Sequence, residues 1–363
     1  MKGIFSTMND ELKKGNFLRK LIIAVIIIGF LPVGIVLFFD PFFHYHKPIG
    51  LLKAVLNQEE YQVIGTLRTF DYDSLLVGSS TAENYNNGWF DEAFECTTIK
   101  AVKPGANTAD LMYFLEEAFQ EKEIKNIFYS LDISALTSDK KESFVQEGMP
   151  LYLYNKNPLD DVKYLFNKHV IFEDIPYMIA CSLMKDYDEG DSFNWAQYKD
   201  FSVMYYEPTK ELKPMQTEDV YATDIEYNIN LLVELVKTHA ETEFRFIIPP
   251  YSSLWWYESY MNGELERDFY ALEKAFTRLL EYENVTIYYF QDMEEVISNL
   301  EVYMDLLHFH PDINRYIVDS LVTGAHQLTQ ENMYEILNNM QSLAEKCIDV
   351  YAKEYFDSLT NTN

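Results

Sequence analysis

Three side-chain types that together perform acyl transfer occur along this chain in a workable order. The stretch "DSLLVGSSTAENY", Asp73 to Tyr85, runs through Leu75-Leu76-Val77, stops at a glycine and continues into residues able to open a helix. A short strand that ends in Gly-x-Ser and turns into a helix exposes a hydroxyl at the edge of a sheet, which makes Ser80 a candidate nucleophile. Such a serine needs a general base, and the base needs an orienting acid. Of the seven histidines, His308 has Asp305 three residues ahead of it, in "YMDLLHFHPDINRY". In a loop before a Pro-started helix, that offset lets the carboxylate accept from Nδ1–H while Nε2 points outward. His310, two residues on, has no acid at the matching offset. His44 and His46 lie beside a long apolar run, and His239 ends a helical pattern. In this arrangement Ser80 would take an acyl group, His308 would move the protons and Asp305 would hold the useful tautomer.

The elements needed to position these groups are legible as an alternation. Apolar strands are expected at Ser74 to Val77, Thr98 to Val102, Ile127 to Ile133, Phe244 to Ile248 and Val285 to Phe290. Helical patterns fall between them, near Thr108 to Glu121, Ile225 to Ala240 and Glu264 to Glu281. In the last of these, Leu265, Phe269, Leu272, Phe276 and Leu279 share one face. Another helix should start after Pro311, and a final one should run from about Glu331 to Asp357. Strands alternating with helices predict an α/β fold with a parallel sheet covered by helices. Residues 140–220 break the pattern: dense in aromatics and acids, they form either a cap beside the site or an external decoration.

Ahead of this lies "LIIAVIIIGFLPVGIVLFF", residues 21–39, which carries no charge. At 1.5 Å per residue it reaches about 28 Å, enough for a bilayer core, and Gly29, Pro32 and Gly34 are tolerated in membrane helices. No small-residue cleavage site follows it. The preceding residues 1–20 are basic, so the expected topology is a single pass through the cell membrane with a cytoplasmic tail and everything after Asp40 outside. Residues 40–72 read as a juxtamembrane connector with a short helix around Leu51 to Leu56, and 73–363 as the extracytoplasmic domain. Over the whole chain 29 Lys and Arg face 58 Asp and Glu, a net charge of −29. Such a balance excludes a polyphosphate partner, so no nucleic acid is expected. Cys96, Cys181 and Cys347 are too few and too scattered for a disulfide framework or a zinc site. No metal or organic cofactor is implied.

A serine after the first strand and a terminal Asp-x-x-His resemble the SGNH (GDSL-like) hydrolase superfamily. The α/β-hydrolases also use a Gly-x-Ser elbow, but theirs follows several strands and their acid and histidine lie far apart. The resemblance covers most of the ectodomain in short, widely spaced blocks and implies a three-layer, flavodoxin-like α/β sandwich. "VGSS" is similar to the first block, with Ser79 in place of its Asp and Ser80 as nucleophile. Gly105, in "KPGANTAD", sits where the second block supplies a backbone N–H to the oxyanion, joined there by the N–H of Ser80. "MDLLH" is similar to the last block. The third block should offer an asparagine side chain to the oxyanion, yet "SLDIS" puts Asp132 there. A carboxylate repels an oxyanion unless it is protonated. Either Asn107 or backbone donors replace it, or the enzyme is slow, or the chain only binds glycan.

"FIIPPYSS" after a strand, together with the apolar span, looks like the envelope branch of that superfamily, the proteins of alginate O-acetylation and teichoic-acid D-alanylation. The resemblance therefore implies acyl transfer to or from an envelope polysaccharide, acetyl first, beside a membrane-bound O-acyltransferase. The rival class is a non-catalytic glycan-binding or assembly subunit. Tyr251, Trp255 and Trp256 follow a strand end, where they either stack on sugar rings or fill a core. Met333, Leu337, Met340, Ala344, Cys347 and Tyr351 form a seam in steps of four and three, expected to pack on its own domain.

Overall fold

The computed structural model describes residues 2–141, 149–196, 199–201, 204 and 206–361. Within the expected insertion, residues 142–148, 197, 198, 202, 203 and 205 lie outside the described residues. The chain divides into two units, one of Met1–Val55 with Pro150–Tyr187 and the other of Leu56–Met149 with Asp188–Asn363. Residues 150–187 thus group with the N-terminal helix, and 188–220 with the sheet.

In the first unit one helix, Lys2–Phe39, includes 21 residues, Arg19–Phe39, that are long and apolar enough to cross a membrane. Val25, Ile28 and Phe30 stay exposed, unlike the side chains of a core helix. The helix stops at Asp40, whose backbone is left-handed (φ 43°), and Pro41 cannot continue it. The buried Asp40 carboxylate accepts the backbone N–H groups of His44, Tyr45 and His46 at 3.1, 2.7 and 2.9 Å, and the Tyr164 hydroxyl at 2.8 Å.

The second unit is built on six strands: β1 (Ser74–Gly78), β2 (Thr98–Val102), β3 (Asn126–Ser130), β4 (Glu243–Ile248), β5 (Val285–Tyr289) and β6 (Gln327–Leu328). Their order is β2-β1-β3-β4-β5-β6; the first five are parallel and β6 is antiparallel to β5. Every residue of β1 is buried, because its strand neighbours β2 and β3 and the helices leave neither face to water, hence its unbroken apolar run. Burying Leu75, Leu76 and Val77 stabilises the sheet by roughly 1.5–3 kcal/mol each.

Right-handed crossovers send the helix after β1 to one face and the helices after β2, β3 and β4 to the other. The packing agrees: helix Asn87–Phe94 lies on helix Pro311–Thr323, while Thr108–Glu121, Glu218–Thr238 and Leu265–Leu279 pack neighbour on neighbour. The chain therefore parts at the carboxyl ends of β1 and β3, the place where open α/β sheets leave a crevice.

Several expectations shift. The strand expected through Ile133 ends at Ser130, because Asp132 (φ −74°, ψ 140°) precedes a helix, Ile133–Thr137. No helix forms at 51–56. That stretch is irregular, and helix Glu59–Thr69 starts only where Gln62 Oε1 can accept the N–H groups of Asn57 and Gln58. The two-residue β6 carries too short a pattern to read. In the C-terminal run the seam from Met333 to Cys347 is buried on its own domain, and the Tyr351 hydroxyl donates to Glu294.

Candidate active site

Gly78 closes β1 because nothing larger fits. A Cβ there would stand 2.7 Å from Ala82 Cβ and 2.9 Å from Ser130 Cβ. The close approach lets the chain turn at Ser79 directly into the short helix Ser80–Glu83. Ser80 is its first residue, so its N–H has no partner within the helix.

The base comes from the loop between β5 and helix Pro311–Thr323. A bridge pairs Tyr303 with Phe309, Met304 N–H donates to His308 O at 2.9 Å, and Leu306 O accepts from Ser252 N–H at 3.0 Å. His310 caps the following helix by accepting from Asp312 N–H, which explains why it does not compete for the site. Asp305 Oδ1 accepts the N–H groups of Leu307 and His308, both at 2.9 Å. Its Oδ2 lies 2.7 Å from His308 Nδ1, and His308 Nε2 lies 2.8 Å from Ser80 Oγ. A carboxylate only accepts, so Nδ1 carries the hydrogen and Nε2 is free to accept from the serine hydroxyl. Burial pushes the Asp305 carboxyl up. The hydrogen bond and charge of His308 and the two backbone donors outweigh it and hold the carboxyl below its ordinary range. The arrangement can take a proton from Ser80 and return it to a leaving group.

Gly105 lies in the loop after β2 with a left-handed backbone (φ 67°), a conformation that suits glycine. Asn107 caps helix Thr108–Glu121, its Oδ1 accepting from Asp110 N–H at 3.0 Å. Ser80, Gly105, Asn107, Asp132, Ser134 and Arg267 are among the residues lining one cavity of 720 Å³.

Asp132 is 4% exposed, and three hydroxyls donate to its carboxylate: Ser79 at 2.5 Å, Tyr251 at 2.6 Å and Thr81 at 3.1 Å. Burial raises its pKa against those bonds and against the nearby His308. Of the two readings of the aromatic stretch, a sugar platform or a core, Tyr251 and Trp256 take the second, which corrects their place among the substrate-binding candidates. Both are fully buried; Tyr251 binds Asp132, and Trp256 Nε1 donates to Gln291 at 3.1 Å. Buried rings offer no face to a sugar. Trp255 is half-buried, packed on Tyr251 with centroids 4.8 Å apart.

Sequence reasoning missed Trp195. Its ring stands at 87° to His308 with centroids 5.0 Å apart, and its Nε1 donates to Glu83 Oε2 at 2.8 Å. No local pattern signals either contact. Among the described residues no group of three or more His, Cys, Asp or Glu could hold a metal ion. Cys96, Cys181 and Cys347 are free thiols.

No family model matches this chain, and no curated protein matches it. Among solved structures, a protein from Streptococcus pneumonia bearing the provisional name platelet activating factor is similar, with 12% identity and a TM-score of 0.38. The match covers 73% of this chain and 89% of that one. A likeness at this level assigns neither a family nor an activity.

Proposed function

We propose that this chain is a membrane-anchored serine acyltransferase or esterase of SGNH type. Its substrates would be hydroxyl-linked acyl groups, acetyl first, of a cell-envelope polysaccharide. The observation that carries the reading is the unbroken relay from Ser80 through His308 to Asp305 beside a cavity of 720 Å³. Ser80 Oγ attacks the acyl carbonyl while Nε2 takes its proton. The N–H groups of Ser80 and Gly105 receive the oxyanion. Collapse returns the proton from Nε2 to the leaving alcohol and leaves an acyl-serine. A second hydroxyl, of a sugar or of water, then gives its proton to Nε2 and attacks the ester, and Nε2 returns that proton to Ser80 Oγ as the acyl–Oγ bond breaks.

The strand order supports reading the domain as a three-layer, flavodoxin-like sandwich with its site at the β1/β3 switch point. The exposed apolar helix supports a single membrane pass, and the basic residues ahead of it support an extracytoplasmic sheet unit, where a membrane-bound O-acyltransferase could deliver acyl groups. Cavity-lining Ser134, Thr137 and Ser138 suit a polyhydroxylated acceptor.

One feature favours a second reading, a glycan-binding subunit without turnover: Asp132 stands where the resembled family has a donor. The test is hydrolysis of p-nitrophenyl acetate by the full chain in detergent, with Ser80→Ala as control at matched circular dichroism. Wild-type turnover that disappears in Ser80→Ala supports the proposal. Turnover that persists in the variant overturns it, and no wild-type turnover favours the binding reading, which glycan affinity of the same full chain then tests.

A further inference from the structure

Glu83 is a buried acid whose role the relay does not explain. It is 1% exposed, its Oε2 accepts from Trp195 Nε1, and its Oε1 is buried with no hydrogen-bond partner. An acid is expensive to keep there unless its neighbours need it.

Those neighbours belong to the segment 188–196, and side chains around Ser80 hold it in place. Asn86 Nδ2 donates to Asp188 and Asp191 at 2.9 and 2.8 Å, and Asn84 Oδ1 accepts from Ala196 N–H at 3.1 Å. The fully buried Lys100 Nζ donates to Glu83 O at 2.7 Å and to Ser192 O. Trp195 is therefore fixed from the helix that carries the nucleophile, and its ring meets the imidazole that serves that nucleophile. Glu83 is three residues after Ser80, one helical turn along the same face. The contacts close a ring: Ser80 to Glu83 through the helix, Glu83 to Trp195, Trp195 to His308, and His308 back to Ser80.

We infer that Glu83 is a positioning residue for His308: by holding Trp195 it sets the indole against the imidazole and keeps Nε2 aimed at Ser80. What this achieves rests on the acyl-transfer reading; the contact itself does not. Burial, helped by the Glu59 charge, pushes the Glu83 carboxyl up to about 8 against Trp195, Lys100 and Lys103. Burial likewise pushes Lys100 down to about 7 against Glu83, Asp191 and Glu59. A carboxyl that is neutral at neutral pH is mimicked by glutamine, which keeps an acceptor for the indole, whereas leucine does not.

The test compares wild type, Glu83→Gln, Glu83→Leu and Trp195→Phe as full chains in detergent. A histidine ring in contact with an indole quenches its fluorescence, so Trp195 emission reports whether His308 lies against it. Trp195→Phe and His308→Gln, which lack one partner each, define that signal. Glu83→Gln should keep the quench and the wild-type kcat. Glu83→Leu should lose the quench, and its kcat should fall about 100-fold at unchanged KM, the cost of misplacing a base by roughly 1 Å. If no variant turns over ester, the acyl-transfer reading has failed and the quench alone decides the positioning. If Glu83→Leu does not fold, Trp195→Phe decides through the rate at which diethyl pyrocarbonate modifies His308, which should rise once the indole is gone. A full quench and full kcat in Glu83→Leu, or an unchanged modification rate in Trp195→Phe, would overturn the inference.

Discussion

Asp305→Asn isolates what the acid does for the base, because the surrounding backbone dictates how the new amide must lie. Asp305 Oδ1 accepts two N–H groups, from Leu307 and His308, both at 2.9 Å. An amide NH2 placed there would face two donors and lose both bonds, about 1 kcal/mol each before repulsion is added. The amide oxygen must keep that place, which turns the NH2 toward His308 Nδ1, now 2.7 Å from Oδ2. An N–H aimed at Nδ1 requires Nδ1 to be the bare nitrogen, so the hydrogen moves to Nε2. Nε2 then donates to Ser80 Oγ, at 2.8 Å, and cannot take its proton. A base held in the wrong tautomer loses ~10,000-fold in kcat, about 5.4 kcal/mol of transition-state stabilisation. Fold and KM should not change, since the amide keeps both backbone bonds. The assay is steady-state hydrolysis of p-nitrophenyl acetate, with thermal unfolding followed by circular dichroism. A kcat within about tenfold of wild type at equal Tm would refute the tautomer argument.

Asp132→Asn should preserve or raise ester turnover, because it replaces an ionisable carboxyl on the cavity wall with an amide that supplies a donor, and Ser79 can reverse its bond to accept from the new amide. It should also flatten the pH dependence of stability. Burial raises the Asp132 carboxyl, so in the folded state it binds a proton more readily than in the unfolded state. Its contribution is complete below the ordinary carboxylate pKa of about 3.9 and is lost as pH rises through the raised folded value. Urea midpoints measured across that window should fall with pH more steeply in wild type than in the variant; equal slopes would contradict the burial argument. For topology, cysteine at the exposed Leu183 should react with an impermeant thiol reagent on intact cells, in a background lacking Cys96, Cys181 and Cys347. Ser6→Cys should not react. Labelling of the tail position alone would reverse the assignment.

The sequence by itself determined what short-range physics decides. An unbroken apolar run of strand length marks β1, and β2 and helix Thr108–Glu121 fall on the residues their patterns indicate. Asp305 and His308 were legible as a pair because three residues of loop suffice to bring their side chains together. The apolar span was legible from length and charge alone. Other features depended on groups distant in the chain. Ser80 meets His308 across 228 residues, through a register set by the whole parallel sheet. Tyr251 and Trp256 occur in a stretch that suits a sugar platform equally well, and only packing against Asp132 and Gln291 made them core. Glu83 and Trp195 sit in no motif; their contact crosses 112 residues and exists because neighbouring side chains hold the segment 188–196. Asp132 read as a misplaced charge until the fold brought three hydroxyls to it. Local patterns carry the preferences of neighbouring residues, whereas burial and hydrogen-bond partners arise only when distant segments exclude water from a shared space.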